Sequence, residues 1–229
     1  EFCIDSMALV NRNHGSTGSV ARCDNSAWVL YNDQWSPVRS EAMVVPTGTR
    51  SPLRYSWNLA PQPPNLATQW VRVIQSQDAF YLREVQVWSG GVNVALAATA
   101  TITNQDGASA AGIAIDGSTT AGVGATFYAG TTQGVDVNAV SMNALSLDLG
   151  ADYAVDSVVV YNIAIASAGV TARLDGAKVE LLTAGRAPEH VFTTTADYVQ
   201  QFHTGAKSNC GVRYVRLESS QTYMNFVEV

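Results

Sequence analysis

Three histidines, three cysteines and a sparse set of carboxylates are the residues of this 229-residue chain with most scope for chemistry. His14, His190 and His203 are expected in turn-like segments, and none belongs to a nucleophile motif. GxSxG, HExxH and Walker loops are absent from the sequence. "GVGATF" (122–127) is a lone GxG with no helical pattern behind it and reads as a flexible loop. Asp148 and Asp152 flank the turn signal "DLGAD", where turn chemistry accounts for them. Catalysis is not expected. Cys3, Cys23 and Cys210 show neither CxxC nor Cys/His metal spacing, which argues against zinc. An odd number allows one pair and one orphan: three separate buried thiols, or a Cys3–Cys23 disulfide between residues near strand ends.

The elements that must position any site repeat along the chain. "WVRVIQSQDAFYLREV" (70–85) lies over "YVRLESSQTYMNFVEV" (214–229) without a gap, at an offset of 144. Val71, Arg72, Gln77, Glu84 and Val85 recur as Val215, Arg216, Gln221, Glu228 and Val229. Residues 4–30 lie over 155–181 at an offset of 151, with Asp5, Ser6, Asn11, Ala21, Arg22, Asp24 and Leu30 meeting Asp156, Ser157, Asn162, Ala172, Arg173, Asp175 and Leu181. The repeat is of domain size.

Local pattern says what the unit is made of. "AKVELLT" (177–183) and "VRYVRLE" (212–218) alternate as strands with one wet face do, and "DSVVVYN" (156–162) is apolar throughout, as a strand buried on both faces would be. "DLGAD", "LDGA", "TAGRAP" and "HTGAKSN" are the turn signals between them. Hydrophobic residues make up 47% of the chain and charged residues only 14%, enough to build cores of sheet joined by tight turns. With a net charge of -6 and two lysines, the chain offers no electrostatic footprint for nucleic acid. No apolar stretch reaches the roughly 20 residues of a transmembrane helix. No signal peptide is recognised, so a secreted chain is expected to begin after processing or inside a longer protein.

Five segments in order, "NVALAATATI" (93–102), "AIDGS" (114–118), "SLDLGADYAVDSVVVYN" (146–162), "ARLDGAKVELL" (172–182) and "VRYVRLESSQTYMNFVEV" (212–229), resemble the discoidin and fucolectin superfamily, which includes the coagulation-factor C domains. The resemblance implies an all-β chain of tandem antiparallel jelly-roll β-sandwiches, the first incomplete at its N-terminus. It divides the chain into residues 1–88, the C-terminal part of a first sandwich, and 89–229, a second, joined through "WSGG" (88–91). It also implies residence outside the cell or at the cell surface.

Site residues follow from the same resemblance. Asp116 of the "DG" turn and Glu228 of the final strand are similar to the carboxylates with which fucolectins hold calcium, with oxygens at Ile113, Ser118, Thr131 and Val227 completing the set. The plainer alternative is that Asp116 caps its own turn and Glu228 is an ordinary strand carboxylate. The insertion "TTAGVGA" departs from the compact family loop. Fucolectins resemble one another in a sugar-binding trio of one His and two Arg. Arg12 and Arg22 match its arginines in the first copy, whose His would lie upstream of Glu1. In the second copy Ile163 replaces the first arginine and Gly134 falls near the His position, leaving Arg173 alone. Arg12, Arg22 and Arg173 are thus the carbohydrate-binding candidates; glycan binding, if present, falls to the first copy, fucose binding is not expected of the second, and the plainer alternative for Arg22 and Arg173 is a structural arginine bracing its loop beside Asp24 or Asp175. Trp35, Trp57 and Tyr128 are candidates for stacking on sugars.

Two functions remain. One is a non-enzymatic, lectin-like, carbohydrate-binding-type tandem module whose partners are glycans. The other is a structural subunit of an extracellular filament, sheath or surface layer, whose partners are neighbouring copies. Because the first copy has no equivalent of residues 92–151, the chain is expected to be part of a longer array, or to be completed by a neighbour's polypeptide. Glu84 would then take its calcium partner from that outside segment.

Overall fold

β-Branched and aromatic residues recur in period-two patterns along the chain, and strands follow from them. The computed structural model describes residues 6–11, 26–31, 34, 37–43, 54–58, 67–75, 80–103, 110–119, 127–129, 143–163, 171–204, 214–219 and 226–228. The strands are β1 (Ser6–Asn11), β2 (Ser26–Tyr31), β3 (Pro37–Met43), β4 (Arg54–Asn58), β5 (Thr68–Gln75), β6 (Phe80–Leu82), β7 (Glu84–Ser89), β8 (Val92–Asn93), β9 (Thr99–Ile102), β10 (Phe127–Ala129), β11 (Asn143–Tyr153), β12 (Ser157–Tyr161), β13 (Lys178–Leu182), β14 (Pro188–Thr193), β15 (Val199–His203), β16 (Tyr214–Ser219) and β17 (Phe226–Glu228). Short 3-10 turns occupy Val94–Ala97, Ala111–Ile115 and Ala172–Leu174. The fold is all-β, and among the described residues no helix is long and apolar enough to cross a membrane.

A five-stranded sheet runs β14-β13-β5-β11-β9 and a seven-stranded one runs β17-β1-β4-β15-β12-β7-β8. Smaller sheets are β16-β2-β3 and β10-β6. Among the described residues the pairings are antiparallel except that of β15 with β4. Val71, Val73, Leu145, Leu147, Val179 and Leu181 of the five-stranded sheet share one buried cluster with Val85, Val87, Val158, Val160 and Phe202 of the seven-stranded one. Alternation sends Arg72 of β5 to the opposite face, where it pairs with Glu180 of β13 at 2.6 Å. β12, apolar throughout, is buried at all five positions.

The repeat is visible in the pairing registers. In β5 and β13, Trp70 faces Leu182 and Val73 faces Val179. In β16 and β2 the equivalent residues, Tyr214 and Leu217, face Tyr31 and Trp28. Glu84 of β7 faces Tyr161 of β12, just as Glu228 of β17 faces Val10 of β1. Leu182 faces Pro188 in β14, as Tyr31 faces Pro37 in β3. β1, β2, β3, β16 and β17 therefore reproduce the pairings of β12, β13, β14, β5 and β7.

The pairings connect the segments assigned to the two copies. β5 and β7, within the segment assigned to the first sandwich, pair with β11, β13 and β12 of the second, while β16 and β17 return to β2 and β1. The expected boundary at residues 88 and 89 lies inside a hairpin. "WSGG" is its turn: Trp88 faces Asn93, and Gly90 and Gly91 have φ of 56° and 80°, the left-handed pair that a two-residue hairpin turn needs. "DLGAD" likewise does not end a strand. β11 continues through it with an irregularity in its pairing between Asp148 and Tyr153, and the Gly150 N–H, at φ 78°, donates to Asp148 Oδ1 at 2.9 Å. His190 and His203 lie in β14 and β15 rather than in turns, both buried.

Because β5 to β15 without β10's neighbouring loops already enclose one core, a fragment covering residues 67–204 is expected to unfold cooperatively in urea. Leu145→Ala in that fragment should lower its stability by about 2–5 kcal/mol, the usual range for a buried leucine. A non-cooperative transition in the parent fragment would contradict the strand assignment.

Candidate functional site

Asp116 ends the 3-10 turn at Ala111–Ile115 and begins the Asp-Gly turn that the sequence singles out. Its side chain is partly exposed, and Oδ1 accepts from the Ser118 N–H at 2.8 Å, the local cap that Asp provides in such turns. Gly117 has φ 81°, and a Cβ there would sit 3.2 Å from Leu96 Cδ2, so backbone geometry and the neighbouring side chain both favour glycine.

The turn sits against the start of β7. Glu84 is fully buried; its Oε1 accepts from the Gly117 N–H at 2.9 Å, and its Oε2 has no hydrogen-bond partner among the described residues. Arg83, also buried, reaches Asp116 Oδ1 through Nη2 at 3.4 Å, while its backbone N–H donates to Tyr161 O. Tyr161 packs edge-to-face on Tyr198, whose hydroxyl donates to Thr119 O at 3.0 Å and ties the far end of the turn to the sheet. Two carboxylates, one guanidinium and two phenols thus converge around residues 116–119.

Their electrostatics follow from burial. Glu84 is pushed up to about 8, first by loss of water; the Gly117 hydrogen bond and Arg83 oppose the shift and the Asp116 charge adds to it. Tyr161 is pushed up to about 12 by burial and then by Glu84. Burial raises Tyr198 as well, so both phenols remain donors. Without a cation, Glu84 holds a proton at neutral pH. A divalent cation would be another remedy, because an orphaned carboxylate oxygen beside a second carboxylate suits a hard ion. The donor set fits a cation in part, since Arg83 already places positive charge there.

Asp116 is thus joined by Glu84. β17, which carries Val227 and Glu228, lies five strand positions from β7 in the same sheet, roughly 24 Å at the usual strand spacing. Within the chain, Glu84 accepts from the Gly117 N–H. Ile113 lies in the 3-10 turn with its N–H donating to Ala110 O, and Ser118 is half-buried beside Asp116. Thr131 lies outside the described residues. The 144-residue offset carried the signal for Glu84, since it equates Glu84 with Glu228; nothing in the pattern pointed to Arg83, Tyr161 or Tyr198.

Of the sugar-site candidates, Arg173 lies among the described residues. Arg12, Arg22 and Trp35 lie outside the described residues, as do Cys3, Cys23 and Cys210. Arg173 is exposed on the 3-10 turn at Ala172–Leu174, 5.4 Å over the ring of Tyr81, and its Nη1 donates to the Tyr81 hydroxyl at 3.4 Å. Gln75, buried at the end of β5, donates to Arg173 O and Asp175 O and fixes that loop from below. Ile163, at the position of the missing arginine, is buried, and its N–H donates to the side chain of Asn162. Among the described residues no group of three or more His, Cys, Asp or Glu could hold a metal. His190 is buried beside Phe192 and held neutral by burial, with Glu189 opposing.

Comparison of the chain with protein-family models, curated proteins and solved structures finds no match.

The folded pKa of Glu84 lies above its ordinary value of 4.5, so the folded chain keeps a proton that the unfolded chain releases. The stabilisation from this group is complete below about pH 4.5 and is lost as pH rises through about 8, at up to about 1.4 kcal/mol per pH unit. Urea unfolding in chelator should show that decline, and Glu84→Gln should remove it while raising stability at pH 8. An unchanged slope in the variant would assign the pH dependence elsewhere.

Proposed function

We propose that the chain is a non-enzymatic, lectin-like, carbohydrate-binding-type module built of tandem jelly-roll sandwiches, belonging to an extracellular or cell-surface protein. The observation that carries this reading is the buried Glu84 carboxylate, with one oxygen orphaned beside Asp116 at the Asp-Gly turn. The resemblance implies calcium at that turn. Asp116 and Glu84 would hold the ion, with carbonyl oxygens of residues 113–119 as further donors; the ion's contribution is to neutralise the buried charge and pin the turn to β7.

Glycan contact is assigned to Arg12 and Arg22, whose guanidinium groups would donate charge-assisted hydrogen bonds to sugar hydroxyls. Arg173 acts as a brace: its packing on Tyr81 and the anchoring of its loop by Gln75 support that role.

Calcium should raise the melting temperature and chelator should reverse the gain, with about 2.7 kcal/mol of stabilisation at one hundred times Kd. Asp116→Asn and Glu84→Gln should abolish the response, while Glu228→Gln leaves it intact. Equal melting curves with and without calcium would remove the cation from the proposal. On a glycan array Arg12→Ala and Arg22→Ala should lose retention and Arg173→Ala should keep it; equal loss from all three would mean misfolding instead of a sugar site.

A further inference from the structure

The turn between β13 and β14 places an arginine where backbone geometry favours glycine. Arg186 has φ 61°, the one positive φ of a residue other than glycine among the described residues. Gly185 stands one position earlier and lies outside the left-handed range. The turn is closed on both sides, by the Arg186 N–H donating to Thr183 O at 2.8 Å and the Thr183 N–H donating to Ala187 O at 2.9 Å. Glycine at position 186 would keep those bonds without the backbone strain. What arginine adds is its side chain, whose guanidinium carbon lies 4.1 Å from the centre of the Trp70 ring. A residue held against its backbone preference points to a task for that side chain.

The surroundings say what the task is. Trp70 alternates along β5 with the core residues Val71 and Val73, so it lies on the outer face of the five-stranded sheet. It is half-buried even with Arg186 against it, and Arg186 itself is exposed. On one side Asp148 of β11 stands directly opposite Trp70. Its Oδ1 accepts from the Gly150 N–H at 2.9 Å and from Gln69 Nε2 at 3.4 Å, which fixes the direction of the carboxylate. On the other side Glu189 of β14 accepts through Oε2 from the Thr68 hydroxyl at 3.2 Å. An indole, a guanidinium and two carboxylates thus gather at one end of one sheet face.

We propose that this patch is a carbohydrate-binding site that takes a neutral sugar unit of a glycan. A pyranose has an apolar C–H face and a rim of hydroxyls that both donate and accept. The accessible part of the Trp70 ring receives the C–H face. A guanidinium only donates and an ionised carboxylate only accepts, so Arg186 and Asp148 together answer hydroxyls in both directions. An acidic sugar would bring a further negative charge beside Asp148 and Glu189, which selects against it. The 144 and 151 offsets carry Trp70 and Arg186 to Tyr214 and Trp35, so the same two positions hold planar side chains in both copies of the sequence. The ligand class is that of the proposed function, on which the inference rests in that respect; the residues are separate from Arg12 and Arg22.

Retention on an array of neutral and acidic oligosaccharides, measured for the intact chain with and without the pair Arg12→Ala and Arg22→Ala, tests the site. The chain carrying that pair should still retain neutral glycans, and adding Trp70→Ala should reduce the retention by about tenfold or more. Adding Arg186→Gly instead, which relieves the backbone, should also reduce it; an arginine that only braces the hairpin would change the melting temperature and leave retention as it was. Circular dichroism identifies folded variants, and either addition suffices if the other fails to fold. Loss of all retention on replacing Arg12 and Arg22 would remove this site and leave the proposed function standing, whereas retention that depends on Trp70 and Arg186 but not on Arg12 and Arg22 would do the reverse for the assignment of glycan contact. Retention confined to acidic glycans, or unchanged in the folded Trp70 and Arg186 variants, would overturn the proposal.

Discussion

Backbone hydrogen bonding between β5 and its two neighbours is the interaction on which the described sandwich depends. β5 lies in the middle of its sheet, sends Val71 and Val73 into the core, and leads the chain through β6 to β7 in the facing sheet. Residues 68–89 thereby contribute to both layers of one sandwich. Unpaired N–H and C=O groups at that position would leave β11 and β13 with an open seam over an apolar interior, a costly arrangement in water.

The charged site is a consequence of that placement. Once β7 pairs with β12, its first residue stands opposite Tyr161 and against the Asp-Gly turn, and Glu84 is buried. Gly117 answers one of its oxygens. The other stays unanswered, and the raised pKa expresses the same deficit in protonation. The turn, the buried acid and the two tyrosines form a unit only because strands far apart in sequence agree in register.

Strand identity was largely readable from residue patterns. "AKVELLT" became β13 with Val179 and Leu181 inside and Lys178 outside, and "DSVVVYN" became the wholly buried β12. The repeat offsets described the pairing registers of both halves. Which half each repeated strand would join was not readable, because β5 and β16 present the same local pattern to equivalent neighbours and only the course of the whole chain distinguishes them. Turn residues misled in two places: "DLGAD" supplied the positive φ for an irregularity within a strand, and the histidines beside "TAGRAP" and "HTGAKSN" were drawn into strands by the apolar alternation around them. The Asp116 turn was legible from its Asp-Gly pair. Its partner required knowing which copy of a repeated glutamate was adjacent in space.

The pairing of β1 with β17 has a consequence for the order in which structure can form. It joins residue 10 to residue 228, whereas the strands of the sandwich in 67–204 lie within a contiguous stretch. Closing the longer loop costs more chain entropy and offers few contacts until the intervening segment has collapsed. The 67–204 sandwich is therefore the natural early folding unit. Once formed, it replaces a flexible tether with a rigid body that carries β15 beside β4, and the two ends of the chain then search a much smaller volume for each other.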